Sequence, residues 1–433
     1  MSEKTRVRRN IHTYPFKYEH LDPAEFFAPE SAVIYLHIPF CQRKCHFCDY
    51  VVYTHSKDEQ RERYVQALVK EIERFPDNPV FPRFRIDAVY FGGGTPGLLE
   101  AEQLERILDA CRRTFEFLPG AEIGVEFDPG NIETDKLARL RDAGFTRLSV
   151  GIQSFHDAVL KANNRPHDLA ECFRAWEVIQ KSGFTHTNLD LIYPLVGQDA
   201  DIWEDSLRQA IDLGPACITA YPLEVWPDTA YHRWLTSGKR QLPPGDAEVA
   251  MARRAFDILE AAGYVRDSTS GYYHPDRTSK YCRFLDYYWR TWPMIGFGVS
   301  SKSVIHDRLY TNIRSADTYI ERINLGQPVM DFGTWLTKPQ EMRRVMIRGL
   351  KMNWVSKPDF FERFGVNMET MFAPEIQSLM DRGFLVNEVD RIYLTREGQV
   401  FSSNVYETFY TEDDLRAPAE NEVQFGISEL ITA

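Results

Sequence analysis

The stretch "YLHIPFCQRKCHFCDY", residues 35–50, sets Cys41, Cys45 and Cys48 in a C-x3-C-x2-C array, three of the seven cysteines of the chain. An apolar run, IYLHI at 34–38, leads into this polar loop and reads as a short strand. Three cysteines in one short polar loop read as metal or cluster ligands rather than core-filling side chains. Zinc normally takes four protein ligands, or three and a water, and His37 or His46 could complete such a set. An iron–sulfur cluster takes thiolates alone. A [4Fe–4S] cube with three protein ligands leaves one iron open to a substrate, and the spacing suits three corners of one cube gripped by one loop.

Composition bounds the setting. The chain has 433 residues, 43% hydrophobic and 26% charged, ordinary values for a globular protein with a sizeable core. Its formal net charge of −12 disfavours broad phosphate-backbone binding, so no nucleic-acid partner is expected. No apolar run reaches membrane-spanning length, and MSEKTRVRRN lacks the apolar centre of a signal peptide. A cytoplasmic protein without a membrane partner is the expectation, and thiols stay reduced there.

Outward from the cysteines the pattern alternates. Residues 1–30 read as a polar tail. Between 31 and 240, further strands are expected at 87–91, 123–127, 148–152, 188–193 and 217–221. Helices between them put Tyr64, Val65, Leu68 and Ile72, or Leu104, Ile107, Leu108 and Cys111, on one face, and glycines 144, 183 and 214 stop three of them. Six βα units imply a parallel sheet, curled into a partial barrel or flat, with its chemistry at the carboxyl ends of the strands. Glu126, Gln153, Asp190 and Tyr221 lie near such ends. Residues 241–335 read as an irregular, aromatic-rich segment packing on the barrel. Residues 336–433 read as helices followed by a hairpin, a winged-helix-like domain, taken as a packing domain rather than a DNA reader.

The cysteine motif, GGGTP (92–96), GIQSF (151–155), NLDLIY (188–193) and IGFGVSSKSVIHD (295–307) resemble, in order and spacing, the radical S-adenosylmethionine (SAM) superfamily and its HemN-like group. The resemblance covers roughly residues 31–410 and implies an α/β fold, a partial (β/α)6 barrel with a C-terminal HemN domain. It implies a [4Fe–4S] cluster on Cys41, Cys45 and Cys48, and two SAM molecules. Phe47 should pack against cofactor. Gly92, Gly93, Gly94 and Thr95 should let the backbone approach SAM, and Glu126, Gln153, Arg165 and Asp190 match positions that bind the two SAM molecules. Tyr35 matches a cofactor-contacting tyrosine. Lys302 departs from the group's GVSxxS segment and is taken, with Tyr35, as a catalytic candidate. An electron donor such as flavodoxin or ferredoxin is implied.

Several activities compete within the group. The oxygen-independent coproporphyrinogen oxidase carries a further cysteine two positions after the third; here that position is Tyr50. The haem chaperone HemW carries an H-N-x-x-Y-W motif; here FLDYYW (284–289) keeps Tyr288 and Trp289 but has Phe284 and Leu285 for His and Asn. Haem ring-opening enzymes are a further alternative. These departures lead to a third expectation, a methylene- or methyl-transferring enzyme that methylates or cyclopropanates an aromatic or unsaturated natural product, with a partner methyltransferase as an option. Trp226, Tyr231, Trp234, Tyr272, Tyr273, Tyr287, Tyr288, Trp289 and Trp292 would line its substrate pocket.

Overall fold

The computed structural model describes residues 31–75, 84–227, 229–243, 245–305 and 307–413. The expected tail at 1–30 lies outside them. Six parallel strands, β1 (Ser31–Ile38), β2 (Arg85–Gly93), β3 (Glu116–Phe127), β4 (Arg147–Gln153), β5 (His186–Tyr193) and β6 (Cys217–Pro222), stand side by side in sequence order. Five helices alternate with them: α1 (Asp58–Arg74), α2 (Ala101–Thr114), α3 (Thr134–Asp142), α4 (Leu169–Ser182) and α5 (Ala200–Leu213). Apolar side chains of each crossover helix, such as Leu104, Ile107 and Leu108 of α2, are buried against the sheet. Strand β1 is buried along nearly its whole length, as a parallel strand covered on both faces must be. Gly183 and Gly214 end α4 and α5 in the left-handed conformation, which glycine adopts without a Cβ clash.

The segment 241–335 is more ordered than its sequence suggests. It supplies β7 (Val265–Arg266), β8 (Gly271–Tyr273), β9 (Met294–Phe297), β10 (Lys302–Ile305), β11 (Arg308–Asn312) and β12 (Met330–Trp335). All join the barrel sheet, whose order is β12-β11-β10-β9-β1-β2-β3-β4-β5-β6-β8-β7. Strand β9 lies parallel to β1, in register from Val33–Met294 to Leu36–Phe297, and β10 to β12 continue the sheet antiparallel. These strands escape a periodicity search because they are two to six residues long.

One buried carboxylate ties this extension to the barrel. Glu71 of α1 accepts from the Gly298 N–H (2.8 Å), the Asn312 amide (2.7 Å) and the Tyr319 hydroxyl (2.5 Å). Tyr64, two turns earlier on the same helix, donates to the His37 carbonyl (2.8 Å) and accepts from the Val299 N–H (3.0 Å). Burial pushes the Glu71 carboxyl up to about 7, and the three donors oppose that push.

The C-terminal region has its own core, including Met346, Leu350, Phe360, Phe372, Leu379, Ile392 and Phe409. Helix α7 (Lys338–Gly349) is followed by two main helices, Lys357–Phe364 and Ala373–Asp381, and by a three-stranded sheet of Trp354–Ser356, Arg391–Leu394 and Leu385–Asn387. No helix among the described residues is long and apolar enough to cross a membrane.

Replacing Glu71 by Ala strands three buried donors and is expected to destabilise the fold by about 3 kcal/mol. Urea unfolding of the variant beside the parent measures this; an unchanged midpoint would remove Glu71 from its tying role.

Candidate functional site

The site grows from the seam between β1, the cysteine loop and the end of β2. Gly93 has φ +104°, and a Cβ on it would stand 2.6 Å from the His37 ring. A Cβ on Gly94 would stand 2.7 Å from the Phe40 carbonyl oxygen and 2.8 Å from that of Ile38. The Gly94 and Thr95 N–H groups bond to those two carbonyls, at 2.8 and 2.7 Å. The glycines are thus required by protein packing, a reason separate from the expected approach of cofactor. The Thr95 hydroxyl donates to Asp128 at 3.0 Å and lies 3.6 Å from the Cys41 Sγ.

The three cysteines are unpaired thiols, partly accessible at the carboxyl end of β1. Burial pushes the Cys41 thiol up to about 12 and raises Cys45 and Cys48 as well. Such thiols ionise when a metal cation replaces the proton. Among the described residues, no three His, Cys, Asp or Glu side chains converge to hold a single metal ion. Three free thiols in one loop, with the nearby His37 and His46 rings engaged by other partners, fit the all-thiolate hold of a cluster. His37 is packed under Gly93 with its ring nitrogens on the Tyr35 hydroxyl and the Val51 carbonyl, and burial lowers it to about 4. His46 turns Nδ1 to the Ala162 carbonyl at 3.1 Å.

The expected polar residues come together around this loop. Arg165 is buried, donates to the Cys45 Sγ at 2.9 Å, and is paired with Asp128. Through these contacts it braces the cysteine loop. Gln153 ends β4 with φ +73°, a conformation uncommon for a side-chain-bearing residue and often found at functional sites. Its Oε1 accepts from the Tyr221 hydroxyl at 3.4 Å. Asp190 accepts from Asn188 (2.8 Å) and Ser149 (3.3 Å), and burial raises its carboxyl. Glu126 is pushed up to about 8, first by burial and then by the neighbouring Asp190 charge, although the Tyr90 hydroxyl and Gly93 N–H donate to it. Two desolvated carboxylates in one recess favour a ligand that brings hydroxyl groups or positive charge.

Beside them stands an aromatic wall. Phe284 of α6 (Arg283–Arg290) is stacked on Tyr90 (ring centroids 4.8 Å), Tyr35 (5.9 Å) and Tyr288 (6.2 Å). Tyr50, 51% exposed, stands beside this wall with its ring 6.1 Å from that of His37. Asp49 and Lys302 also meet here, with the Asp49 carboxylate opposing the burial that lowers Lys302 to about 8.

Other expected pocket residues are elsewhere. Tyr272 is fully buried beside Arg266, Tyr231 bonds to Asn163, and Trp292 packs edge-on against Tyr287. Phe47 faces the edge of Tyr231 (6.4 Å) and Trp234 that of His46 (4.6 Å). Asp128 and Tyr90 were missed. Asp128 follows Glu126 at the two-residue period of one strand face, which was the available signal.

Comparison with known proteins follows the same lines. The radical SAM superfamily profile matches residues 35–210, and that of the HemN C-terminal domain matches 336–401. The heme chaperone HemW of Bacillus subtilis is 30% identical over 383 residues, 87% of this chain and 99% of the relative. The chain belongs to the HemN-like group of the radical SAM superfamily. The oxygen-independent coproporphyrinogen III oxidase of Salmonella typhimurium is 28% identical over 394 residues, 86% of this chain and 84% of the relative. The solved coproporphyrinogen III oxidase (HemN) of Escherichia coli, titled a radical SAM enzyme, superposes with a TM-score of 0.74 at 26% identity, covering 90% of this chain and 91% of the other. Membership carries a [4Fe–4S] cluster and SAM as cofactors.

These relatives overturn the methylene-transfer expectation. They are named for haem and coproporphyrinogen, not for methylation or cyclopropanation, and the natural-product substrate and partner methyltransferase fall with it. The expectation rested on two local departures, Tyr50 and Phe284, which weigh less than an alignment running almost end to end.

Changing Cys41, Cys45 and Cys48 together to Ala should abolish iron binding and the brown absorbance of anaerobically prepared protein. Full iron content in that variant would remove the loop as the cluster site. A second expectation concerns pH. Glu126 has a folded value near 8, above its ordinary 4.5, so its contribution to stability is complete below 4.5 and is lost as pH rises through 8. Cofactor-free protein should therefore melt at lower temperature at pH 8.5 than at pH 6, and Glu126→Gln should flatten that slope. An equal slope in the variant would assign the effect to another group.

Proposed function

We propose that this protein holds a haem-type tetrapyrrole, a haem or a porphyrin, at the mouth of its radical SAM barrel. The observation that carries the reading is the nearly end-to-end match to a haem chaperone, joined by a match to a coproporphyrinogen oxidase. The partly accessible rings of Tyr35, Tyr90 and Tyr288, backed by the buried Phe284, would offer a flat macrocycle a stacking surface near the cysteine loop.

In this reading Cys41, Cys45 and Cys48 grip the cluster, and Arg165 and Asp128 brace the loop that carries them. Gly92, Gly93, Gly94, Thr95, Glu126, Gln153 and Asp190 form the polar side of the recess, where SAM ribose hydroxyls and amino group find acceptors; a second SAM would use the same side. When bound, the cluster supplies the electron that cleaves SAM reductively. The barrel residues orient SAM and keep water from it, and the wall places the tetrapyrrole within reach.

Phe284 stands where the haem motif has histidine, so the wall itself provides no imidazole to a haem iron. The ring rather than the iron therefore supplies the affinity. Anaerobic titration of the cluster-loaded protein should show both haem and iron-free protoporphyrin saturating at one per chain with comparable affinity. Tyr288→Ala, which removes a partly accessible ring of that surface, should weaken both about fivefold, the worth of one lost stack of roughly 1 kcal/mol. Failure of both ligands to saturate would sink the reading. Tight binding of haem alone, with an imidazole-type Soret shift, would replace ring stacking by iron ligation.

A further inference from the structure

Helix α7 and the turn after it carry Arg344, Arg348 and Lys351, spaced four and three residues apart on one face, and all three are buried (2%, 1% and 8% exposed). Long cationic side chains are rarely buried without a reason. Arg348 donates to the Tyr288 carbonyl at 2.9 Å, and its guanidinium lies 4.1 Å from the Tyr288 ring centroid and 5.0 Å from that of Trp289. Lys351 lies 3.4 Å from the Glu224 carboxylate and 4.5 Å from the Trp289 ring. Lys302 opens β10 with its backbone packed against Gly296, the β9 residue that pairs with Tyr35 of the wall, and it is partly accessible. Among the described residues no carboxylate stands within ion-pair distance of it. The charges bearing most on it are one carboxylate, Asp49, and three guanidinium groups, Arg348, Arg344 and Arg314.

The arrangement sets positive charge next to the aromatic wall. Tyr288 belongs to both: one side of the wall is Phe284 and Tyr288, and Arg348 sits one ring away. A macrocycle stacked on the wall would put its rim, where acidic side chains hang, at Lys302 and the α7 cations. Guanidinium and ammonium groups in a desolvated recess bind carboxylates strongly.

We propose that Lys302, backed by the cationic face of α7, forms a carboxylate-binding subsite that fixes the acidic side chains of the tetrapyrrole at the barrel mouth. This rests on the tetrapyrrole reading above. The same chemistry could instead receive the carboxylate of a SAM molecule, and the test separates the two.

Protoporphyrin and its dimethyl ester, which lacks both carboxylates, are titrated into the full-length, cluster-loaded protein with SAM present, and SAM affinity is measured separately. The acid should bind about tenfold or more tightly than the ester, as the loss of a charge-assisted contact predicts. Lys302→Met should collapse that ratio towards one with unchanged SAM affinity and iron content, and Lys302→Arg should keep it. Equal binding of acid and ester to the parent overturns the subsite while leaving the tetrapyrrole reading intact. A Lys302→Met variant that loses SAM affinity but keeps the ratio assigns the site to SAM and overturns the proposal. If neither porphyrin binds, the tetrapyrrole reading fails and the subsite fails with it.

Discussion

The contact of two backbones without intervening side chains governs this molecule. At the end of β2, Gly93 and Gly94 lie directly against His37 and the carbonyls of Ile38 and Phe40, and their spacing leaves no volume for a methyl group. This closeness lets the Gly94 and Thr95 amides bond across the seam and fixes the departure direction of the cysteine loop. Everything downstream in the site inherits that direction. Thr95 reaches Cys41, Asp128 reaches Thr95 and Arg165, and Arg165 reaches Cys45. The loop, which opens in a two-residue strand (Phe40–Cys41) paired with Tyr53–Thr54, is thereby held further by Thr95 beyond the end of β2 and by Arg165 ahead of α4.

The electrostatics of the recess divide by side. Near the carboxyl ends of β3 and β5, Glu126 and Asp190 sit desolvated and repel one another. On the opposite side, Lys302 is desolvated among guanidinium groups. Each side is costly by itself, since burial of like charges disfavours ionisation. Asp49, beside the last cysteine, is the acid that faces the cationic side. A ligand with positive groups at one end and negative groups at the other, or two ligands of opposite character, relieves both costs at once.

Much of the barrel was legible because its strands are long, apolar and separated by helices with clear one-sided patterns; β1 and β5 differ from their expected limits only at the ends. The strand extension was not, because a four-residue strand such as Met294–Phe297 has no period to read and acquires its identity from pairing with β1. In the site, Glu126, Gln153 and Asp190 were visible from their places at strand ends. Arg165 was visible through the resemblance, but Asp128 was not, since it takes its meaning from a contact with Arg165 across 37 positions. The aromatic residues were over-counted: composition cannot distinguish Tyr272, fully buried beside Arg266, from Tyr288, which is partly accessible. The stripe of Arg344, Arg348 and Lys351 has helical spacing in plain view, but such a stripe ordinarily marks a solvated face, and here it is buried.

Strand β1 has one neighbour made early and one made late. Its pairing with β2 uses residues near 90, whereas its other flank is covered only by Met294–Phe297. During synthesis the cysteine loop therefore emerges long before the sheet that supports it is complete, and until then β1 presents a bare, apolar hydrogen-bonding edge of the kind that recruits other chains. A chain cut short of residue 294 keeps every cysteine of the motif and the glycine seam, yet leaves that edge permanently open. For this protein, completion of the cysteine motif and closure of the β1 flank are separate events, about 250 residues apart along the chain.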